Sequence, residues 1–517
     1  MSGRGCKISK AHVSPTVLQT DKHVGVNKKR RLVRVSHVSP DMDIIPFNHR
    51  FSTLERAVKE RVFCVKDKTS ETGYGPPPKP APGYFGAKME VFRSRLEKFL
   101  PKTVPWNHQQ FVDSYRGRKK EIYQNALTEL SEGYCNVKED AAVHVFIKNE
   151  KTDRTTKEDP VPRVISPRNP KYNLRVGRYL KKIEHRVFRS IGKLFGHETV
   201  IKGYDIHDSA RLLHEKWEKL NDPVAIGLDA SRFDQHVSQE ALKFEHEIYG
   251  DCFRYKKDKY KLAELLKHQL ENRCVGYTPD GILKYTTDGT RMSGDMNTSL
   301  GNCILMCGMI WTYLQDKAIV GHLANNGDDC VVFIERKDLK AFSNGLGEWF
   351  LKMGFNMVVE KPVFEFGQIE FCQTKPIFDG TSWLMCRNPV TAIAKDSVML
   401  NAFQSEGLFK GWLDAVGTGG LSMTGGVPVF QSFYQLYVRS GKRRAVREEL
   451  LSWNMQQHLK NGRKRDAVFI TDEARLSFWI SFDITPDEQI LLEKYYDDMF
   501  ISSKLGSYSP RLVFSEL

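Results

Sequence analysis

The feature that most constrains this chain is a pair of adjacent aspartates, Asp328 and Asp329, directly after Gly327. Apolar residues stand on both sides of the pair: Ile319, Val320 and Leu323 before it, and Val331, Val332, Phe333 and Ile334 after it. Such runs predict two short buried strands. Because Asn-Gly between two strands is a strong hairpin signal, both carboxylates are expected at or beside a tight turn.

Two like charges held side by side are costly unless a positive group lies on them, and a divalent metal ion is the usual solution. Asparagine, glycine and aspartate are also ordinary turn residues, so an exposed surface turn stays open as the alternative at this point. Other stretches of the chain have to decide between the two.

A second run, residues 224–228, leads directly into Asp229, and Asp234 follows five residues later. The end of a buried strand holds a carboxylate rigidly, as catalytic geometry requires. Beside Asp328 and Asp329, Asp229 would give carboxylates from separate strands that clamp two ions about 4 Å apart. One ion would lower the pKa of an attacking hydroxyl, and the other would hold a triphosphate and stabilise the departing pyrophosphate.

Basic residues lie ahead of these acids, along an extended path that the prolines at 160, 162, 167 and 170 impose. The cations of this ribbon are Lys148, Lys151, Arg163 and Arg168. They would line a channel entered by a triphosphate, since the planar fork of arginine pairs well with phosphate oxygens. A basic surface loop is the alternative reading of this stretch.

Residues 291–298 are rich in turn formers and lead into a helix predicted to run to about Leu314. Ser293, Thr298 and Asn302 would lie near its start, where they can hydrogen-bond a sugar hydroxyl or a template backbone. Capping of the helix by Ser293 or Thr298 is the alternative.

Charge and composition narrow the class of partner. The net charge of +15 favours polyanions, either nucleic acid or an anionic membrane. The ten cysteines form no Cys-x-x-Cys pair, so a zinc site is not expected and a reducing compartment fits. No secretory signal opens the chain, and the apolar segment 303–311 is far shorter than the roughly 20 residues of a membrane span. A soluble or peripheral chain is expected.

The ends of the chain are less specific. Residues 1–50 are polar and basic and predict a weakly ordered arm, followed by a stiff proline-rich connector over 73–86. Helical spacing is present over 89–100, 111–130 and 339–353, and short strands are predicted over 356–360, 368–372 and 383–386. From about residue 390 helices are predicted, with basic clusters at 442–444 and 460–465 that suit contact with a nucleic-acid backbone.

In this order, the motifs resemble those of the RNA-dependent RNA polymerases of positive-strand RNA viruses, and most closely the tombusvirus-like (carmovirus-type) plant-virus replicases. The amino-acid sequences of residues 227–238, 162–168 and 123–126 are particularly similar to those of that group. The similarity covers roughly residues 110–400.

The resemblance implies an α+β, right-hand polymerase fold with an antiparallel palm sheet and a mostly helical thumb. The implied boundaries are 1–88 for the arm and connector, 89–220 for the fingers, 221–240 for the first part of the palm, 241–288 for a fingers insertion, 289–388 for the second part of the palm and 389–517 for the thumb.

The same resemblance implies roles for single residues. Asp229 and Asp328 would bind two Mg²⁺ or Mn²⁺ ions, with Asp329 supporting them, and Lys361 would be the general acid for pyrophosphate. The expected ribose contacts are Asp234, Ser293, Thr298 and Asn302. The expected triphosphate contacts are Arg163, helped by Lys148, Lys151 and Arg168.

The expected activity is RNA synthesis from ribonucleoside triphosphates on an RNA template, in the host cytoplasm beside a membrane-anchored viral replication protein, with no DNA partner. A reverse transcriptase is one alternative, but it would be expected to place a bulky aromatic near position 234, where this chain has aspartate. A non-catalytic RNA-binding replication factor is the other, since its basic surface would look similar.

Overall fold

The computed structural model describes most of the chain. The described residues are 2–26, 28–35, 38–133, 136–400, 405–443, 451, 455–456, 458–459, 462–502, 504–506 and 509–511. They form a mixed α+β structure in which the longer helices pack on small, mainly antiparallel sheets.

The strands, in chain order, are β1 Leu18–Lys22, β2 Leu32–Arg34, β3 Ile44–Ile45, β4 Val65–Lys66, β5 Tyr74–Gly75, β6 Val143–His144, β7 Phe146–Ile147, β8 Thr152–Asp153, β9 Val164–Ile165, β10 Pro223–Ala230, β11 Glu271–Thr278, β12 Gly281–Asp288, β13 Gly321–Asn326, β14 Asp329–Glu335, β15 Met357–Val359, β16 Thr374–Phe378, β17 Trp383–Arg387, β18 Val398–Leu400, β19 Lys504–Gly506 and β20 Ser509–Arg511.

The α-helices are α1 Phe51–Val58, α2 Tyr84–Glu97, α3 His108–Asp113, α4 Gly117–Ser131, α5 Val137–Asp140, α6 Pro170–Phe195, α7 Ile206–Trp217, α8 Phe233–His236, α9 Gln239–Asp251, α10 Lys256–Leu266, α11 Thr298–Asp316, α12 Leu339–Ser343, α13 Leu346–Lys352, α14 Pro389–Asp396, α15 Glu406–Thr424, α16 Phe430–Ser440, α17 Asp472–Phe482 and α18 Pro486–Asp498.

The central sheet has the antiparallel order β13-β14-β10-β15. Its interior strands are buried because the apolar runs of β10 and β14 lie side by side, with Leu228 opposite Cys330. The predicted hairpin is confirmed: Asn326 pairs with Asp329, and Gly327 and Asp328 form the two-residue loop. Gly327 has a φ of 86°, a left-handed conformation that glycine adopts without strain.

Helices α2, α6, α9 and α11 cover this sheet and share one buried apolar cluster with it. Helix α11 is apolar on nearly all sides because it lies inside this cluster rather than on the surface. In the described part of the chain, no helix combines the length and the hydropathy that crossing a bilayer would need.

The N-terminal segment is not a separate arm, so the expectation of weak order for residues 1–50 is wrong for the described part. Strand β1 extends the second sheet, in the order β1-β12-β11-β6, and β2 pairs with β18, more than 360 residues further along the chain. Leu32 and Val35 are fully buried. The apolar residues among the basic ones are too few to form an element alone, but they are enough to pack into cores supplied by distant segments.

Other sequence expectations need local correction. The helix predicted over 339–353 is two helices, α12 and α13, interrupted at Gly345 with a φ of 74°. The segment 111–130 likewise divides into α3 and α4. Residues 368–372 form no strand, because a 3-10 turn at Phe366–Gln368 precedes β16. Of the two C-terminal basic clusters, residues 444, 460 and 461 lie outside the described residues.

Candidate active site

Three aspartates from two distant parts of the chain meet at one edge of the central sheet. Asp229 near the end of β10 is paired with Asp329 at the start of β14. Directly paired residues on antiparallel strands have Cα atoms about 4.5–5.5 Å apart. Because Asp328 is the last residue of the turn before Asp329, all three carboxylates lie in one small region.

The electrostatics of this acidic cluster are unfavourable without a cation. Burial and the nearby Asp328, Asp229 and Glu360 together raise the pKa of Asp329 to about 6, although the Cys372 N–H, which donates to Asp329 Oδ2 at 2.9 Å, acts in the opposite direction. The pKa of Asp229 is raised for the same reasons, partial burial and the charge of Asp328. A cation placed among these groups would favour their charged forms.

The donor chemistry suits a hard divalent ion. In the described residues, no three His, Cys, Asp or Glu side chains are arranged as a ready-made metal cage. Mg²⁺ is commonly held by one or two carboxylates plus waters and substrate phosphates, rather than by a complete set of protein ligands. Asp229, Asp328 and Asp329 match that pattern, and their mutual repulsion is what a bound ion would relieve.

A series of hydrogen-bonded polar side chains lies beside the acidic cluster. The Asn302 amide donates from Nδ2 to Asp234 Oδ1 at 2.9 Å, and Arg291 Nε donates to Asn302 Oδ1 at 2.9 Å. Burial raises the pKa of Asp234 to about 6, while the contacts with Asn302 and Arg291 act in the opposite direction. Asn302 also lies against Gly327, so α11 and the aspartate turn are in contact.

These groups open onto one cavity of about 370 Å³ between β9, α8, α11 and the aspartate turn. Its polar and charged lining residues are Arg61, Lys148, Arg163, Ser166, Arg232, Asp234, Gln235, Thr290, Arg291, Ser293, Thr298, Asn302 and Asp328. The cavity is therefore lined by both cations and the carboxylates of Asp234 and Asp328.

Comparison with known proteins fits this geometry. The family described as "Viral RNA dependent RNA polymerase" matches residues 17–504. The chain belongs to this family of viral RNA-dependent RNA polymerases.

Its relatives are proteins named RNA-directed RNA polymerase from plant viruses. The protein of Oat chlorotic stunt virus (isolate United Kingdom) is 53% identical over 534 residues, covering 100% of this chain and 71% of the relative. The proteins of Tobacco necrosis virus (strain A) and Turnip crinkle virus are 43% and 40% identical, over 91% of this chain in each case. The chain spans only 64% and 60% of the length of these last two.

Two cations of this viral polymerase's cavity were not expected from sequence. Arg61 donates from Nε and a terminal nitrogen to the carbonyls of Pro162 and Val161, at 2.8 and 2.7 Å, and so holds the basic ribbon. Burial, followed by the charges of Arg232 and Arg163, lowers the pKa of Arg61 to about 10. Arg232 could have been predicted as a cavity cation from the sequence, because it lies between Asp229 and Asp234. No motif around Arg61 indicates that it reaches the cavity.

Two of the four cations expected at the triphosphate are not brought to the cavity. Arg168 is 3% exposed and is paired with Asp295, with a further hydrogen bond to the Ala141 carbonyl at 2.6 Å. Lys151 donates to the Lys395 carbonyl at 2.6 Å, and burial lowers its pKa to about 8. Both assignments are corrected, because each side chain is directed into an internal contact of the fold.

The remaining expected cations, Lys148 and Arg163, do line the cavity, where both contact Glu150 at 3.0 and 3.4 Å. Lys361 is exposed and follows β15, the strand that pairs with β10 beside Asp229.

The two hydroxyl side chains at the start of α11 have local partners that are not caps. Ser293 donates to the Val164 carbonyl at 3.1 Å and Thr298 to the Met292 carbonyl at 2.8 Å. The residue in the N-cap position is Asn297, which makes no side-chain cap. The capping alternative is therefore wrong, and both hydroxyls lie at the cavity wall.

Proposed function

We propose that this chain synthesises RNA from ribonucleoside triphosphates on an RNA template, in a right-hand arrangement of fingers, palm and thumb. The observation that carries the proposal is the single cavity in which Arg163 and Lys148, Asp234 and Asn302, and the acidic turn at Asp328 converge. In a nucleoside triphosphate the ribose bonds the reacting α-phosphorus, and the β- and γ-phosphates follow. The cavity has groups that suit each part: Asp234 and Asn302 for the ribose, Asp328 for the metal ions at the α-phosphorus, and Arg163 and Lys148 for the remaining phosphates.

Asp229 and Asp328 would hold two Mg²⁺ or Mn²⁺ ions, and Asp329 would support them through its position on the paired strand. When bound, such ions activate the attacking 3′-hydroxyl and neutralise charge on the departing pyrophosphate. The protein itself contributes rigid placement, since Asp229 and Asp329 belong to neighbouring strands of a buried sheet.

Arg163, Lys148, Arg61 and Arg232 would bind the triphosphate. Burial and the charges of Arg232 and Arg163 lower the pKa of Arg61, and an incoming polyanion would relieve the repulsion among these cations. Glu150 balances Lys148 and Arg163 in the structure, so its two contacts would weaken when phosphate oxygens take its place. Lys361, next to the sheet edge, stays a proposed proton donor to pyrophosphate.

Asp234 and Asn302, with Ser293 and Thr298 nearby, would select the sugar. A carboxylate that accepts a hydrogen bond from a ribose 2′-hydroxyl is left unpaired by a deoxyribose, and an unpaired buried group costs about 1–3 kcal/mol. Asp234 and Asn302 therefore favour ribonucleotides over the deoxyribonucleotides that a reverse transcriptase uses.

The partners follow from the same proposal: an RNA template, the product duplex and nucleoside triphosphates, but no DNA. We assign residues 89–220 and 241–288 to the fingers, 221–240 and 289–388 to the palm, and 389–517 to the thumb. Residues 1–88 then connect these parts. Action in the host cytoplasm, beside a membrane-anchored viral protein, belongs to the proposal as well.

An elongation assay on a generic RNA, with and without Mn²⁺, tests the proposal. Wild-type protein should extend RNA only with the metal. Asp328→Asn should lower synthesis by on the order of 10³-fold while RNA affinity stays the same, because a charge that holds the ions is lost. Asp222→Asn, a change at an exposed ion pair, is the matched control. A metal-independent signal, or a fully active Asp328→Asn variant, would contradict the proposal, and RNA binding without any synthesis would favour a non-catalytic factor.

A further inference from the structure

A buried glutamate and a buried arginine lie next to Asn302, which together with Asp234 is proposed to select the sugar. Glu245 on α9 is fully buried, and both of its carboxylate oxygens accept from Arg291, one at 2.6 Å. Arg291 is itself 3% exposed, and its Nε–H donates to Asn302. The result is one continuous chain of hydrogen bonds, from Glu245 through Arg291 and Asn302 to Asp234.

The direction of this chain is fixed by chemistry. A guanidinium can only donate hydrogen bonds, so the Asn302 atom that faces Arg291 must be the amide oxygen. The amide NH₂ then has to face Asp234, and it occupies one carboxylate oxygen. Asp234 is thereby left with its other oxygen as an acceptor, which is the group that a 2′-hydroxyl needs.

A glycine in α11 leaves the space that the Glu245–Arg291 pair occupies. Gly301 lies against the Glu245–Arg291 pair, and a Cβ at that position would collide with Glu245 Oε2 and with the guanidinium of Arg291. Asn297 Nδ2 donates a third hydrogen bond to Glu245, at 2.9 Å. The pair is therefore packed between α9 and α11, with Asn297 and Gly301 of the α11 region directly against it.

We propose that Arg291, anchored by Glu245, is a positioning residue for sugar selection, because it fixes the orientation of the Asn302 amide that presents Asp234 to the ribose. The inference rests on the proposed function. Arg291 touches neither metal nor triphosphate in this scheme. Its loss would free the amide to rotate, so that the carbonyl of Asn302 could face Asp234 and disturb the acceptor.

Arg291→Lys is the variant of choice, because lysine keeps a cation for Glu245 but has no Nε–H directed at Asn302. We expect the preference for ATP over dATP, as a ratio of kcat/KM values on one RNA, to fall about tenfold. The ratio is insensitive to the fraction of folded protein, since both substrates are measured on the same sample.

Asp295→Asn is the matched control. It disrupts a second buried carboxylate–arginine pair at the same loop, with Arg168, but neither residue of that pair bonds to Asn302 or Asp234 in the described structure. Its ATP-to-dATP ratio should stay within about twofold of wild type. An equal fall in both variants would overturn the proposal, because it would reflect general loosening of the loop.

A double-mutant cycle sharpens the test. Arg291→Lys should have no further effect on the ratio when Asn302 is already alanine, since the amide through which it acts is gone. Gly301→Ala, which displaces the pair without changing its charges, should reproduce the fall. A full additional effect in the Asn302→Ala background would overturn the assignment.

Equilibrium competition of ATP against dATP, with Mn²⁺ and without RNA, separates this inference from the proposed function. If the wild-type protein made no RNA, the activity proposal would fail, yet the binding ratio would still be measurable. Equal binding of both nucleotides by wild type, or an unchanged ratio in Arg291→Lys, would overturn the inference by itself.

Discussion

The aspartates of the acidic cluster and a buried aspartate of the C-terminal part have opposite electrostatic surroundings. In the C-terminal part, Asp396 accepts from Arg387 at 2.6 Å and from the Tyr434 hydroxyl at 2.7 Å. Burial alone would raise the pKa of Asp396, but the charge and hydrogen bonds of Arg387, together with the Lys151 charge and the Tyr434 hydroxyl, outweigh burial and lower the pKa. In the acidic cluster of the candidate active site, burial raises the pKa values of Asp229 and Asp329, and the charges of neighbouring acids add to this effect.

The difference separates acids that stabilise the fold from acids that are kept for a ligand. An arginine beside Asp396 completes the site within the protein, so nothing further is needed there. The aspartates of the acidic cluster are left in an unfavourable state, which is typical of functional sites and is relieved when a ligand of opposite charge binds. Sequence alone does not distinguish the two kinds of aspartate.

The largest expected effect is on the C-terminal pair. Asp396→Asn leaves Arg387 buried without a carboxylate, and breaking such a pair costs about 3–5 kcal/mol. Urea unfolding at pH 7 measures the change. Asp222→Asn, at a pair whose side chains are more than half exposed, should change the unfolding free energy by less than about 1 kcal/mol. Similar changes in unfolding free energy for both variants would mean that Asp396 does not stabilise the fold more than an exposed aspartate does.

A smaller effect is expected at Asp379, which accepts from the N–H groups of Ser382 and Thr381 and from Arg465. Burial raises its pKa, but these hydrogen bonds outweigh burial and hold the pKa at about 2. Because the folded pKa lies below the unfolded value of about 3.9, the charged form stabilises the protein above that value. Asp379→Asn should cost about 1–2 kcal/mol at pH 7.

The pH dependence of the Asp379→Asn difference supplies the check. The stabilisation is lost as the pH falls through the folded pKa, so the gap between wild type and variant should be roughly halved near pH 3. Urea unfolding of both proteins at pH 7, 4 and 3 measures it. A gap that stays constant across this range would mean that the charge of Asp379 is not the cause.

The smallest expected effect has the opposite sign. Asp329→Asn removes one of the clustered charges, so without metal the variant should be more stable than wild type at pH 7, by about 1 kcal/mol or less. Mn²⁺ should raise the melting temperature of wild type and raise that of the variant less. Thermal unfolding with and without Mn²⁺ tests both statements, and a destabilised variant without metal would place Asp329 among the structural acids.

Much of the site could be predicted because its signals are local. The hairpin around Gly327 depends on adjacent turn residues and flanking apolar runs, and its register follows from them. The strand that ends near Asp229 is predictable for the same reason. The direct pairing of Asp229 with Asp329 joins segments 100 residues apart, and only the packed sheet decides it.

The basic residues are the opposite case. Lys148, Lys151, Arg163 and Arg168 look equivalent in the sequence, yet Lys148 and Arg163 face the cavity while Lys151 and Arg168 are used inside the fold. Arg61 enters the cavity from a segment with no recognisable motif. A long basic side chain can serve several partners, so its role depends on which carbonyl or carboxylate the fold brings near it.

The sequence by itself determined the family, the α+β composition, the aspartate hairpin and the apolar runs that form its strands. These depend on residue type and on spacing along the chain, which act locally. The tertiary structure alone decided which charges meet, that the N-terminal segment packs into distant cores, and that Glu245 and Arg291 stand behind Asn302. Such contacts depend on the distance between residues far apart in sequence, and burial makes their electrostatic consequences large.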